Sequence, residues 1–181
     1  MQAQAQQTLM NRLVGIVTFK APVYKEVAED KTATTTALII VVVVSVVTGL
    51  LLGVFSGNLI FELVTNIVIQ LVLWVVSSWV LAFVAKQFFK GDTDTSEMLR
   101  VTGYTNVFRI LGIIPVIGSL IGGILQAIAN IIGIREAAGF DTTKALITAI
   151  IAWIIGFIIA AIITGIFSAI FIVPALINTT Q

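Results

Sequence analysis

Long apolar stretches separated by short polar connections are the feature that most constrains the fold of this chain of 181 residues. They occupy residues 33–55, 59–85 and 145–173, with two shorter limbs within residues 101–134. The first stretch would cross a hydrocarbon layer of about 30 Å as a helix that rises about 1.5 Å per residue. With 59% apolar and 10% charged residues, the composition is also typical of a membrane protein. We predict an all-α polytopic membrane protein with five transmembrane helices and an amino-terminal interfacial amphipathic helix.

All ten basic residues fall on one side of the membrane if the five stretches are five spans. They are Arg12, Lys20, Lys25, Lys31, Lys86, Lys90, Arg100, Arg109, Arg135 and Lys144. Because segments rich in Lys and Arg remain cytoplasmic, this distribution predicts an inner-membrane protein with its amino terminus inside and its carboxyl terminus outside.

Residues 101–134 are compatible with one kinked helix or with two short helices. The segment Pro115-Val116-Ile117-Gly118-Ser119 favours a reversal, since proline cannot donate a helical hydrogen bond and Gly-Ser is typical of turns. The predicted side of Arg135 and Lys144 depends on this reversal.

The first 32 residues form a cytoplasmic or interfacial segment in this interpretation. Apolar residues recur at helical spacing over residues 7–20, which predicts a helix lying on the cytoplasmic leaflet. Pro22 can begin a second short helix. We expect no cleaved signal, a transmembrane domain over residues 33–175 and a short external tail over residues 176–181.

Small residues recur every fourth position in three of the apolar stretches. This spacing lets helix backbones approach closely in lipid, and we favour packing within the chain over a dedicated oligomer contact. The candidate helix-packing residues are Ser45, Gly49, Gly53, Gly57, Gly118, Gly122, Gly156 and Ala160.

A line of polar side chains runs along the second span, with Glu62, Asn66 and Gln70 four residues apart. Because isolated polar groups are costly in lipid, this line should face protein or water. Gln126 and Asn130, also four apart, are predicted hydrogen-bond partners for it. We favour a hydrogen-bonded seam between helices, and the alternative is a polar conduit gated by Glu62.

Arg100 and Arg109 are nine residues apart and so share one side of a helix. They are candidate contacts for a lipid phosphate or carboxylate at the cytoplasmic rim, and the other interpretation is that Arg109 snorkels to the interface. The acidic residues Asp92, Asp94 and Glu97 lack the pattern of a calcium loop. We interpret Asp94 or Thr95 as the start of a helix, with an equivalent start at Asp141.

No arrangement of residues in the chain supports catalysis. Cysteine and histidine are both absent, which removes thiolate nucleophiles and the usual zinc and haem ligands. Serine and threonine have no evident activating partner. We therefore expect no enzyme activity, cofactor or metal, and the net charge of +1 gives no reason to expect nucleic-acid binding.

Three segments carry a resemblance to a known family: Glu97-Met98-Leu99-Arg100-Val101-Thr102-Gly103-Tyr104, Gly133-Ile134-Arg135-Glu136-Ala137-Ala138-Gly139 and Lys20-Ala21-Pro22. The first two resemble the Yip family of five-span membrane proteins, and the third resembles the start of its prokaryotic members. The resemblance covers most of the chain from Phe19 onward. It implies five spans and, from the eukaryotic members, an association with Rab-type GTPases and membrane organisation. The chain lacks their long cytosolic region and their Asp-Leu-Tyr-Gly type motif, so GTPase binding is not carried over.

The function expected from these features is that of a non-enzymatic Yip-type membrane protein. It would organise membrane or act as an accessory subunit of a larger membrane complex, with membrane lipids and other membrane subunits, or further copies of itself, as partners. The alternative is a small permease or channel that uses the polar line of the second span.

Overall fold

A computed structural model describes residues 2–114 and 116–167 of the chain, and every element within these ranges is helical. In chain order these are α1 (Gln2–Val17), α2 (Ala21–Glu29), α3 (Ala33–Ser56), α4 (Leu59–Phe89), α5 (Thr95–Thr105), a 3₁₀ helix (Asn106–Ile113), α6 (Ile117–Ala138) and α7 (Thr142–Phe167). The all-α class is thus confirmed. The predicted tail at residues 176–181 lies outside the described residues.

Four of the described helices, α3, α4, α6 and α7, are long and apolar enough to cross a membrane. The third predicted span is instead built from α5 and the 3₁₀ helix, with 11 and 8 residues. A 3₁₀ helix rises about 2.0 Å per residue against about 1.5 Å for an α-helix, so together they extend about 32 Å. The tighter winding therefore lets a segment of modest length match a hydrocarbon layer of about 30 Å.

The predicted reversal after the third segment is confirmed by the packing of the 3₁₀ helix against α6. A Cβ at Gly118 would meet the carbonyl of Leu111, and one at Gly122 would lie 2.6 Å from the carbonyl oxygen of Phe108. As the residue number rises in α6 it falls in the 3₁₀ helix, so the two helices run antiparallel. Pro115 lies outside the described residues.

The residues around the reversal have different roles from those we predicted. Gly118 and Ser119 lie in the first turn of α6 rather than in the turn itself, and Val116 precedes them with a φ of +63°. Gly118 is therefore required for close helix packing and not for turn conformation.

α1 and α2 form an N-terminal hairpin, as Pro22 suggested, with proline in the first turn of α2. Arg12 bridges the two helices through Glu26 and Asp30, at 2.8 Å and 2.7 Å. Burial alone would lower the pKa of Arg12, but its hydrogen bonds to Asp30, Glu26 and Tyr104 outweigh this effect and raise it. The two helices are thus held together by ionic as well as apolar contacts.

The N-terminal hairpin lies lengthwise along the bundle, and the position of α1 at the membrane interface stays a prediction. The side chain of Arg100 reaches the carbonyl of Ala28 at one end of α2, and Phe19 stacks on Phe108 at the other, with ring centroids 5.5 Å apart. Between these points Tyr24 is fully buried and packs near Gly133. The hairpin packs this way because α2 is apolar enough to enter the same core as α5 and α6.

The bundle has two distinct ends. At the basic end, the C-terminal ends of α2, α4 and α6 meet the N-terminal ends of α3, α5 and α7, and the amide of Asp92 donates to the carbonyl of Ala138. At the turn end lie the two short connections near residues 57–58 and 114–116. Gly57 has a φ of +74°, which closes the connection between α3 and α4.

Candidate functional site

A hydrogen-bonded seam joins α4 to its neighbours at every fourth residue. Asn66 lies 3.1 Å from the hydroxyl of Thr48 on α3, and Gln70 donates to Asn106 over 2.9 Å. One turn further, Trp74 donates from its indole nitrogen to Thr102, and Ser78 lies 2.8 Å from the same Thr102 hydroxyl. The predicted line at positions 66 and 70 therefore faces protein, and its polar groups are paired.

The sequence reasoning missed two members of this seam. We ended the line at Gln70, whereas the structure continues it through Trp74 and Ser78, which keep the spacing of four. Thr102 and Asn106 are also four apart on the facing segment. The spacing of four, repeated on both segments, was the signal that could have identified Trp74 and Ser78 as members of the seam.

The two polar residues of α6 are placed differently from our expectation. Asn130 lies 2.6 Å from the hydroxyl of Thr105 on α5, so its partner is not on the second span. Gln126 faces a cavity that Gln70 also lines. Glu62 lies in the first turn of α4, where a carboxylate is favoured by the positive end of the helix dipole.

This cavity has a volume of about 370 Å³ and lies between α4, the α5 and 3₁₀ segment, α6 and α7. Its polar lining residues are Gln70, Ser77, Thr102, Asn106, Arg109, Gln126 and Asn130. Aromatic side chains from α4 and α7, including Trp74, Trp153 and Phe157, form much of the rest. The volume is within the range of small-molecule sites, about 300 to 1,000 Å³.

Arg100 and Arg109, which we predicted to contact lipid together, are separated in the structure. Arg100 is buried and donates from Nε to the carbonyl oxygen of Ala28 over 2.8 Å, with a second bond from Nη2. This carbonyl belongs to the last turn of α2, where carbonyls lack helical partners and attract cations. The prediction for Arg100 was wrong because helical spacing could not show that α2 covers it.

Arg109 lies within the third segment and is exposed at the cavity. It is 15 residues beyond Asp94 at the basic end and 5 before Ile114 at the turn end. Its position is therefore deeper than the cytoplasmic rim that we predicted. Whether Arg109 contacts lipid stays a prediction.

The small residues contact different partners in different helices. Gly49 and Gly53 face α4, where an added Cβ would lie 3.1 Å from the Cα of Leu63 and 2.6 Å from the Cα of Leu59. Ser45 is buried in the same helix. Gly156 of α7 has open space around it and lines the cavity. The side chain of Ala160 is outside the described part of the chain.

The helix starts at the basic end follow the predicted capping. Asp94 accepts a hydrogen bond from the backbone amide of Glu97 over 2.8 Å. Asp141 accepts one from the amide of Lys144 over 2.9 Å, and this bond lowers the pKa of the Asp141 carboxyl. Among the described residues there is no group of acidic side chains arranged to hold a metal ion.

Comparison with known proteins gave one match. The sequence model of the Yip1 domain matches residues 14–163. No curated protein and no solved structure matched the chain. The matched region starts near the end of α1 and extends into α7, so it includes α2, the seam and the cavity but only residues 14–17 of α1. Because the match covers most of the chain, the protein belongs to the Yip1 domain family and is a multi-pass membrane protein.

Proposed function

We propose that the protein is a non-enzymatic, membrane-organising protein that widens the cytoplasmic side of its membrane. The observation that carries this proposal is the N-terminal hairpin, which adds two helices to the basic end and none to the turn end. A bundle that is wider in one leaflet favours curvature toward that leaflet. The concentration of Lys and Arg at the basic end supports a cytoplasmic position for it in an inner membrane.

The surface of α1 supports its insertion into the leaflet. Leu9, Leu13 and Ile16 face the protein core, whereas Met10, Val14 and Val17 are exposed on the neighbouring side of the helix. Such a row of exposed apolar side chains is expected where a helix is covered by acyl chains. Asn11 is exposed on a further side, which suits contact with headgroups and water.

The hairpin is held firmly enough to transmit its shape to the membrane. Arg100 fixes the C-terminal end of α2, Phe19 fixes the connection between the helices, and Arg12 joins α1 to α2. Asp30, one of the partners of Arg12, also accepts bonds from Thr32, and the hydroxyl of Thr32 followed by Arg12 lowers its pKa. A hairpin fastened at three points acts as part of the bundle.

The accessory-subunit role is compatible with this proposal and would use α7. Among the four long helices, α7 has the smallest share of its apolar window buried within the chain. Purification in native lipid should then yield the protein with a second membrane subunit or a second copy. The permease alternative is not favoured, because most of the polar line on α4 is paired with neighbouring helices.

Reconstitution into vesicles of mixed diameter tests membrane organisation. We expect the labelled protein to be enriched in small vesicles and Val14→Asp to lose this enrichment, because it places a charge on the exposed apolar row. Asn11→Asp is the matched control, since it adds the same charge to α1 on its polar side. Fluorescence per unit membrane area in single vesicles provides the measurement. Equal density of the parent protein in small and large vesicles would refute the proposal.

A further inference from the structure

The side chains of Arg109 and Gln126 carry hydrogen-bond donors without partners and line the same cavity from different segments. Arg109 comes from the 3₁₀ helix and Gln126 from α6. Within residues 2–114 and 116–167, neither side chain has a hydrogen bond or an ion pair. No aspartate or glutamate lines the cavity. Its surface is therefore positively charged and offers donors that remain free.

The depth of Arg109 makes its lack of a partner informative. Asn106, one 3₁₀ turn earlier, bonds to Gln70, which lies eleven residues from the start of α4 and so about 17 Å along it. Arg109 is thus in the interior length of the bundle and not among the charges of the basic end. An arginine at such a depth is costly and usually has a partner of opposite charge or a functional role.

The rest of the cavity suits an apolar chain. Trp74 closes its inner wall and is almost fully buried, whereas Trp153 and Phe157 of α7 are exposed at its rim. α7 packs along α4 and α6, and the 3₁₀ helix packs mainly on α6 and α3. The space between α7 and the 3₁₀ helix therefore opens sideways, toward the acyl chains of a surrounding membrane.

We propose that this cavity binds the oxyanion of a membrane amphiphile, a carboxylate or phosphomonoester that carries an acyl chain. The planar guanidinium of Arg109 can donate two parallel bonds to such a group. Gln126 can donate a third bond from its amide. The acyl chain would extend out of the cavity along Trp153 and Phe157. The Gln70 amide nitrogen is already bonded to Asn106 and does not take part. This site is independent of the N-terminal hairpin and of membrane curvature.

Tryptophan fluorescence reports on the cavity directly. Two of the three tryptophans, Trp74 and Trp153, line it, whereas Trp79 stacks on Phe83 and is exposed on α4. A Trp79→Phe background removes the signal from outside the cavity. We would add dibromostearate, brominated phosphatidic acid or the brominated methyl ester of the same fatty acid to the full chain in nanodiscs of neutral lipid, because bromine quenches nearby tryptophan.

Saturable quenching by dibromostearate, by brominated phosphatidic acid or by both is expected, and the comparison identifies the headgroup. Arg109→Gln should weaken binding by about tenfold or more, which corresponds to the loss of one charge-assisted contact. Gln126→Leu should weaken it less, and Arg109→Lys should fall between the parent and Arg109→Gln. Lys90→Gln, at the exposed basic end, is the matched control and should leave binding unchanged.

Three results would overturn the proposal. One is equal quenching by the neutral methyl ester, which would show that charge is not recognised. Another is unchanged affinity in Arg109→Gln or, where that variant elutes as an aggregate, in both Arg109→Lys and Gln126→Leu. The third is that inorganic phosphate, at the concentration where the lipids bind, protects the tryptophans from quenching. This result would show that the acyl chain adds nothing to the affinity.

Discussion

From the basic end to the middle of the bundle the helices are joined mainly by directional bonds from polar side chains. Toward the turn end, close backbone contacts at glycines accompany the bond between Thr48 and Asn66. Arg100 and Arg12 anchor the N-terminal hairpin, and Trp74 and Ser78 bond to Thr102. Toward the turn end, Gly53 touches α4 and Gly122 touches the 3₁₀ helix. The two ends therefore differ in which substitutions they tolerate.

The difference follows from what lipid offers to helices. Acyl chains are as apolar as leucine, so helices within them associate by close packing or by hydrogen bonds, and not by hydrophobic contrast. Where two helix backbones come within van der Waals distance, the contact requires glycine, because any side chain at that position would hold the helices apart. Where a hairpin must be fixed at one orientation, a few polar side chains determine it.

The largest effect is expected at the basic end, from Arg100→Leu. This change leaves the buried carbonyl of Ala28 without its partner and removes a bond to a charged group, a combination that costs about 3 kcal/mol. The free energy of unfolding in a detergent titration should fall accordingly, and α2 amides should exchange hydrogen faster. Lys86→Gln, which removes an exposed charge from the same end, is the control. Unchanged exchange in α2 would show that Arg100 does not hold the hairpin.

Toward the turn end, two adjacent glycines should respond with opposite signs. In Gly122→Ala the new Cβ would lie 2.6 Å from the carbonyl oxygen of Phe108, so the 3₁₀ helix must move away. Overpacking of this kind costs about 2 kcal/mol. Gly123→Ala meets nothing within 4 Å and should stabilise α6 by up to about 1 kcal/mol. Unfolding midpoints that shift in the same direction for both variants would contradict the predicted packing.

A smaller effect is expected from Trp74→Phe, which keeps a six-membered aromatic ring but removes the pyrrole ring with its N–H donor. The lost indole bond, which Thr102 and the carbonyl of Leu99 share as acceptors, should cost about 1 kcal/mol of unfolding free energy. Trp79→Phe is the counterpart on the exposed side of α4 and should change stability much less. Equal losses of unfolding free energy in the two variants would mean that the hydrogen bond of Trp74 adds no stability beyond the packing of its ring.

Much of the secondary structure could be predicted because it depends on local pattern. The long apolar stretches became α3, α4, α6 and α7, Pro22 opened α2, and Asp94 and Asp141 cap their helices. The 3₁₀ winding after Thr105 could not be predicted. Its apolar composition is the same as that of an α-helix, so the local pattern does not distinguish the two helix types, and Gly118 and Gly122 pack against it from a separate helix.

The site was predicted only in part. Asn66 and Gln70 do lie on one side of α4, yet their partners Thr48 and Asn106 come from other helices and have no fixed sequence distance from them. Arg100 and Arg109 seemed equivalent because helical spacing treats every side of a helix alike. Packing made them different, since α2 covers the first and the second faces a cavity.

By itself the sequence determined the class of protein and the positions of its apolar segments, because transfer into lipid depends on composition averaged over about 20 residues. Only the tertiary structure decided that the N-terminal hairpin stands along the bundle, that the line on α4 closes into a seam and that Arg109 and Gln126 meet at one cavity. These outcomes depend on which faces of separate helices come into contact. That choice rests on the fit of side chains far apart in the chain, which no local pattern contains.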